Sequence, residues 1–232
     1  MEKEAAMKWE AGGPASGLEA SAVRAGDNAV LRNTYRLLSL TLAFSALAAV
    51  GTAALGLPAP GLLLTLAGYF GLLFLTARLR NSGWGLVSVF AMTGFMGYTI
   101  GPLLNAYLAL ANGPALVATS MGVTGVVFMG LSAYARSARA VNMLNYGTFL
   151  FVGVLTAFGL GLAALLFQLP ALSLAVSGLF VMLMGGLIVY ETQNIISGGE
   201  TNYIMATVTL FVALYNIFTS LLQLLGFFGG DE

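Results

Sequence analysis

The chain has 232 residues, 59% hydrophobic and 8% charged, and nine basic residues balance nine acidic ones. A soluble domain usually carries about 25% charged residues, so this composition excludes a water-facing surface and points to a bilayer. The absence of Cys and His removes disulfides, thiol nucleophiles, thiolate metal sites, haem ligation by His, zinc proteases and Ser–His hydrolases.

In chain order, residues 1–33 form a mixed-charge leader containing Gly12-Gly13-Pro14 and Ser16-Gly17. It has no apolar core of signal-peptide length, and it holds too few large apolar groups to fold alone. A disordered tail is therefore expected there. Seven apolar segments follow, near 36–57, 61–77, 84–104, 114–134, 143–167, 171–190 and 203–227. Most approach the roughly 20 residues that cross a bilayer as a helix. Pro58-Ala59-Pro60-Gly61, Asn112-Gly113-Pro114 and Gln168-Leu169-Pro170 break the chain at hairpins. The expected architecture is an all-α polytopic membrane protein, a seven-helix bundle over 34–228 with a short tail at 229–232.

The basic residues set an expected orientation. Arg24, Arg32 and Arg36 precede the first segment, Arg78 and Arg80 follow the second, and Arg136 and Arg139 follow the fourth. The loops after segments one, three and five are uncharged. Cytoplasmic loops collect Lys and Arg, so the N-terminus is expected inside and the C-terminus outside.

Glu191 and Glu200 are the only acids between Asp27 and Asp231. An unpaired acid at mid-bilayer costs about 2.5–3.5 kcal/mol. Glu191 is therefore expected either to pair with Arg78 or Arg80 or to face headgroup water. Gly97 and Gly101 have the spacing of a close helix contact, while Gly101-Pro102 is also a candidate hinge, because proline frees a backbone carbonyl. Asn216, Thr219 and Gln223 fall on one face of the last helix, where they could line a route or act as glue between helices. Tyr98, Tyr107, Tyr134, Tyr190 and Tyr203 fit interfacial anchoring. An enzyme is not expected: a serine intramembrane protease lacks its base here, and no Lys follows Lys8 to form a retinal Schiff base. No cofactor, metal or nucleic-acid partner is expected.

Several ordered motifs carry a resemblance. Leu31-Arg32-Asn33-Thr34-Tyr35, Thr93-Gly94-Phe95-Met96-Gly97-Tyr98, Tyr190-Glu191-Thr192-Gln193-Asn194 and Leu214-Tyr215-Asn216-Ile217-Phe218 resemble the Bax-inhibitor family. Pro60-Gly61-Leu62 and Gly198-Gly199-Glu200-Thr201-Asn202-Tyr203-Ile204 resemble its bacterial YccA group more narrowly. The likeness implies seven helices with the last surrounded by six. For many members it implies a pH-sensitive calcium leak, closed by one acid in helix six, one in helix seven and an Arg after helix two. Glu191 holds the first position and Arg78 or Arg80 the third, but Ala213 stands where the second acid belongs. The YccA likeness implies instead an inner-membrane modulator and slow substrate of the AAA protease FtsH with HflK–HflC, gripped by its cytoplasmic tail.

Overall fold

The computed structural model describes residues 14–137 and 140–229, with side chains from residue 29 onward. Seven α-helices are present among the described residues: α1 Pro14–Ala54, α2 Leu62–Leu79, α3 Trp84–Leu108, α4 Gly113–Ala135, α5 Gly147–Leu166, α6 Pro170–Ile196 and α7 Tyr203–Gly229. A 3-10 turn, Met143–Tyr146, leads into α5. All seven are long and apolar enough to cross a membrane, and in α1 the membrane-length part is Ala29–Ala54. The chain is thus an all-α polytopic membrane protein. Residues 14–33, assigned to the leader on composition, are helical in the structure. Residues 1–13 and 230–232, part of the expected tails, lie outside the described residues.

The helices sort into two shells. α7 lies against α1, α3, α4 and α6, while α2 is applied mainly to α3, and α5 to α6. The core follows α7: Leu210, Phe211, Ala213, Leu214 and Ile217 join Val89, Met92, Met184 and Ile188 in one buried cluster. α2 buries only Thr76 outright, whereas α7 buries Ile204, Ala206, Thr207, Val208 and seven more residues. Six helices therefore enclose the last one, four in direct contact and two behind.

Two of the turns show how the sequence closes its hairpins. α6 ends at Gly198, whose φ of +74° is a left-handed conformation that glycine adopts without strain. The Gly198 N–H donates to Ile195 O at 3.1 Å, sealing the last turn. Pro114 and Pro170 sit in the first turns of α4 and α6, where a missing N–H loses nothing.

α1 and α3 make the closest approach. A Cβ on Gly97 would strike the Ser45 carbonyl, and one on Gly101 would strike the Thr52 side chain. The facing stripe on α1 is Ser45, Ala48, Ala49 and Thr52, small residues that let two backbones meet. α3 runs unbroken through Pro102. Gly101→Ala should therefore destabilise the bundle by about 1–3 kcal/mol, the usual cost of overpacking. Gly125→Ala, where an added Cβ meets nothing within 4 Å, should be neutral or stabilising. Thermal melts of both variants in nanodiscs check this, and equal melting points would remove the close contact from the account.

Candidate functional site at the charged end of the bundle

Every described charged side chain from residue 29 onward belongs to one end of the bundle: Arg32, Arg36, Arg78, Arg80, Arg136, Glu191 and Glu200. The opposite loops, 55–61, 109–112 and 167–169, contain none. The charged end is also laced together by side-chain amides. Gln193 on α6 accepts from Met143 N at 2.8 Å and donates to Val141 O at 2.9 Å, fixing the α4–α5 connection. The Arg136 guanidinium lies 5.2 Å from the centre of the Tyr35 ring, joining α4 to α1. Thr207 donates to Thr34 O at 3.3 Å and to Tyr203 O at 2.7 Å, joining α7 to α1.

Asn202 is the central tie. Its Oδ1 accepts from Ile204 N and Met205 N, both at 3.1 Å, capping the start of α7. Its Nδ2 donates to Arg80 O at 3.0 Å and to Asn81 Oδ1 at 2.9 Å, holding the α2–α3 loop. Its own N–H donates to Glu200 Oε1 at 2.6 Å. Asn202 is not among the candidate site residues expected from the sequence. An Asn immediately before an apolar helix is an N-cap signal, so half of its role could have been read there; the bond to a loop 121 residues away could not.

α6 continues six residues past the boundary expected at 190, because Thr192 and Ile195 go on burying a face of the helix. Glu191 therefore lies within the helix and is only 5% exposed. Its Oε1 is buried with no hydrogen-bond partner. The turn after α6 folds back toward it: the Glu200 N–H donates to Asn194 O at 3.2 Å, one turn along the helix from Glu191. Arg78 and Arg80 are both exposed, and neither bonds Glu191 Oε1. The α6–α7 loop thus returns Glu200 to the end of α6 that carries Glu191. Ala213, at the second family position, is 0% exposed within the apolar core.

The polar face of α7 splits in two. Asn216 Nδ2 donates to Val212 O at 2.8 Å, and Thr219 to Tyr215 O at 3.0 Å, both within their own helix. Gln223 instead crosses to α6, donating to Ser173 Oγ and accepting from Ser177, each at 2.6 Å. Between Gln223 and the charged end lie the fully buried Leu210, Phe211 and Ile217, so the bundle axis is apolar and closed at its middle. Gly101 packs instead against Ala49 and Thr52 of α1.

Fold and site together define a polytopic membrane protein with a closed apolar centre and a polar, tied end. Residues 27–230 match the family described as Inhibitor of apoptosis-promoting Bax1; the chain belongs to this Bax-inhibitor family. It is 52% identical over 203 residues to the Modulator of FtsH protease YccA of Escherichia coli K12, covering 87% of this chain and 91% of that protein. The same identity and coverage relate it to the Inner membrane protein YccA of Escherichia coli O6:H1. An uncharacterised membrane protein of Vibrio cholerae is 40% identical over 206 residues, or 88% of this chain and 92% of the relative. The chain is a multi-pass protein of the inner membrane. The names of its family and relatives are those of a membrane modulator, not a catalyst.

Proposed function

We propose that the chain modulates the membrane-anchored protease FtsH, acting with HflK–HflC as a slowly processed substrate held by its N-terminal leader. The observation that carries this is the 52% identity, over nearly the full length of both chains, to a protein named for that role. The physical support is a contrast within the chain. Residues 1–13 are polar and glycine-containing, with five charges in the first ten positions, which suits an end that a pulling ATPase can grip. Behind them stands a bundle whose last helix is enclosed by the other six and tied at both ends. On the uncharged end, Tyr98 donates to Pro58 O at 2.9 Å and Asn112 donates to Gly229 O. Pulling from the leader must break such ties before α7 moves, so the protease stays occupied. In this reading the arginine-bearing end faces the cytoplasm, as the bias of basic residues favours.

Deleting residues 2–20 leaves Ala29–Ala54 intact and should preserve the melting point while slowing turnover by purified FtsH at least several-fold. Unchanged turnover would remove the leader as the handle.

A cation leak of the Bax-inhibitor type is the second reading, and a specific observation favours keeping it. Ala213 removes the second acid from α7, but the α6–α7 loop folds Glu200 back onto Asn194, one turn along the helix from Glu191. Two neighbouring carboxylates share protons as a unit and attract a divalent cation. On this reading Glu191→Gln should abolish calcium uptake into dye-loaded liposomes, relative to the intact chain. Equal flux in the two would dispose of it.

A further inference from the structure

α1 and α4 both pack on α7 but make no extended contact with each other. Near the charged end they meet through side chains: the Tyr35 ring stands edge-on to Phe128 at 5.8 Å. Beyond Phe128 they part. The gap between them is a crevice of about 430 Å³, walled by α1, α3 and α4 and floored by Phe211, Leu214 and Tyr215 of α7. Its rim includes Met121, which is 57% exposed, so the crevice opens sideways from the bundle.

Its dimensions select an occupant. On α4 it runs from Val117 to Phe128, which is eleven residues or about 16 Å of helix rise. One leaflet of a bilayer has about 15 Å of hydrocarbon, half of the 30 Å core. A single extended hydrocarbon chain matches this length, and the sideways opening at Met121 gives it access from the bilayer. The lining is almost wholly apolar, and Ser45 and Thr124 are its only residues besides Tyr215 with side-chain polar atoms. On α4 the crevice ends at Phe128, past the middle of the helix, and its other end, near Val117 and Leu108, approaches the uncharged face.

The geometry points to a phospholipid site: one fatty acyl chain, from the leaflet at the uncharged end, lies tail-inward between α1 and α4 against α7. The lipid completes the wall that these two helices leave open. It touches the otherwise enclosed helix directly, so acyl length and saturation act on the packing of α7.

The test uses the full chain in nanodiscs containing a phospholipid with a photoactivatable diazirine at the end of one acyl chain, and labelled peptides are mapped by mass spectrometry. Phe211 and Leu214, only 1% and 5% exposed, should be labelled alongside Met121. Gly125 lines the crevice, and a Cβ there meets nothing within 4 Å. Gly125→Phe should fill the space and cut the α7 label at least five-fold. Labelling of the exposed Phe74 on α2 should stay the same. Gly122→Phe, equally free of contacts but outside the crevice, should leave both signals unchanged. An unlabelled α7 in the parent protein would overturn the site. So would α7 labelling that is indifferent to Gly125→Phe.

Discussion

Ala213→Asp, which writes the family's second acid into this chain, is expected to destabilise the bundle by about 3 kcal/mol, the insertion cost of a lone aspartate deep in a membrane helix. Ala213 is 0% exposed and packed among Leu210, Phe211, Leu214 and Ile217. A carboxylate there has no arginine to meet, since the described basic side chains sit at the charged end and both Arg78 and Arg80 are exposed. For a chain of this size, 1 kcal/mol moves a melting point by about 2–4 °C, so the drop should be roughly 6–12 °C in nanodiscs. The companion Ala213→Asn should lose less, because it buries a dipole and no charge. If Ala213→Asp melts with the parent, water or a partner group reaches the middle of α7, and the closed apolar centre is wrong. Loss of stability with Ala213→Asp and recovery on adding Glu191→Gln would show instead that the two positions repel each other directly.

The second large effect is expected at Asn202. Replacing it with alanine removes an N-cap, worth about 1 kcal/mol, and two hydrogen bonds to the α2–α3 loop, worth about 0.5–1.5 kcal/mol each. The total, about 2–4 kcal/mol, should appear as faster amide exchange at Ile204, Met205 and the first turn of α7. Asn202→Asp separates the two functions. Its carboxylate keeps the cap acceptor but loses the donor to Arg80 O and Asn81 Oδ1, and it places a negative charge near Glu200. It should recover the protection at Ile204 while the loop at Arg80–Asn81 stays loose. If Asn202→Ala leaves exchange at Ile204 unchanged, the cap does not hold α7, and the charged end is secured by other ties.

Most of the fold was legible because membrane helices announce themselves by length and hydropathy. The expected starts of the third and seventh segments, 84 and 203, coincide with Trp84 and Tyr203, and the prolines marked the hairpins. α6 ran longer than its apolar run because Thr192 and Glu191 are polar residues on a buried face, which hydropathy scores as an end. The site was harder to read. Glu191 stood out by its charge, but its surroundings depend on how the Gly198-Gly199 turn folds Glu200 back, and the argument from opposite charges on one side of the membrane favours the arginines instead. Gln193 and Asn202 act through bonds to loops 50 and 121 residues away. Such contacts leave no period or spacing in a single chain. The α1–α4 crevice is equally silent, since its lining residues look like any lipid-facing stripe until α7 is seen beneath them.

The account stands most directly on whether the chain restrains FtsH. Purified FtsH in proteoliposomes, degrading a fluorescent reporter with and without an equimolar amount of the full chain, measures this in one step. The reporter should be degraded several-fold more slowly when the chain is present, and the chain itself should be consumed slowly. A reporter rate indifferent to the chain, with the chain folded and oriented in the same membrane, would contradict the proposal.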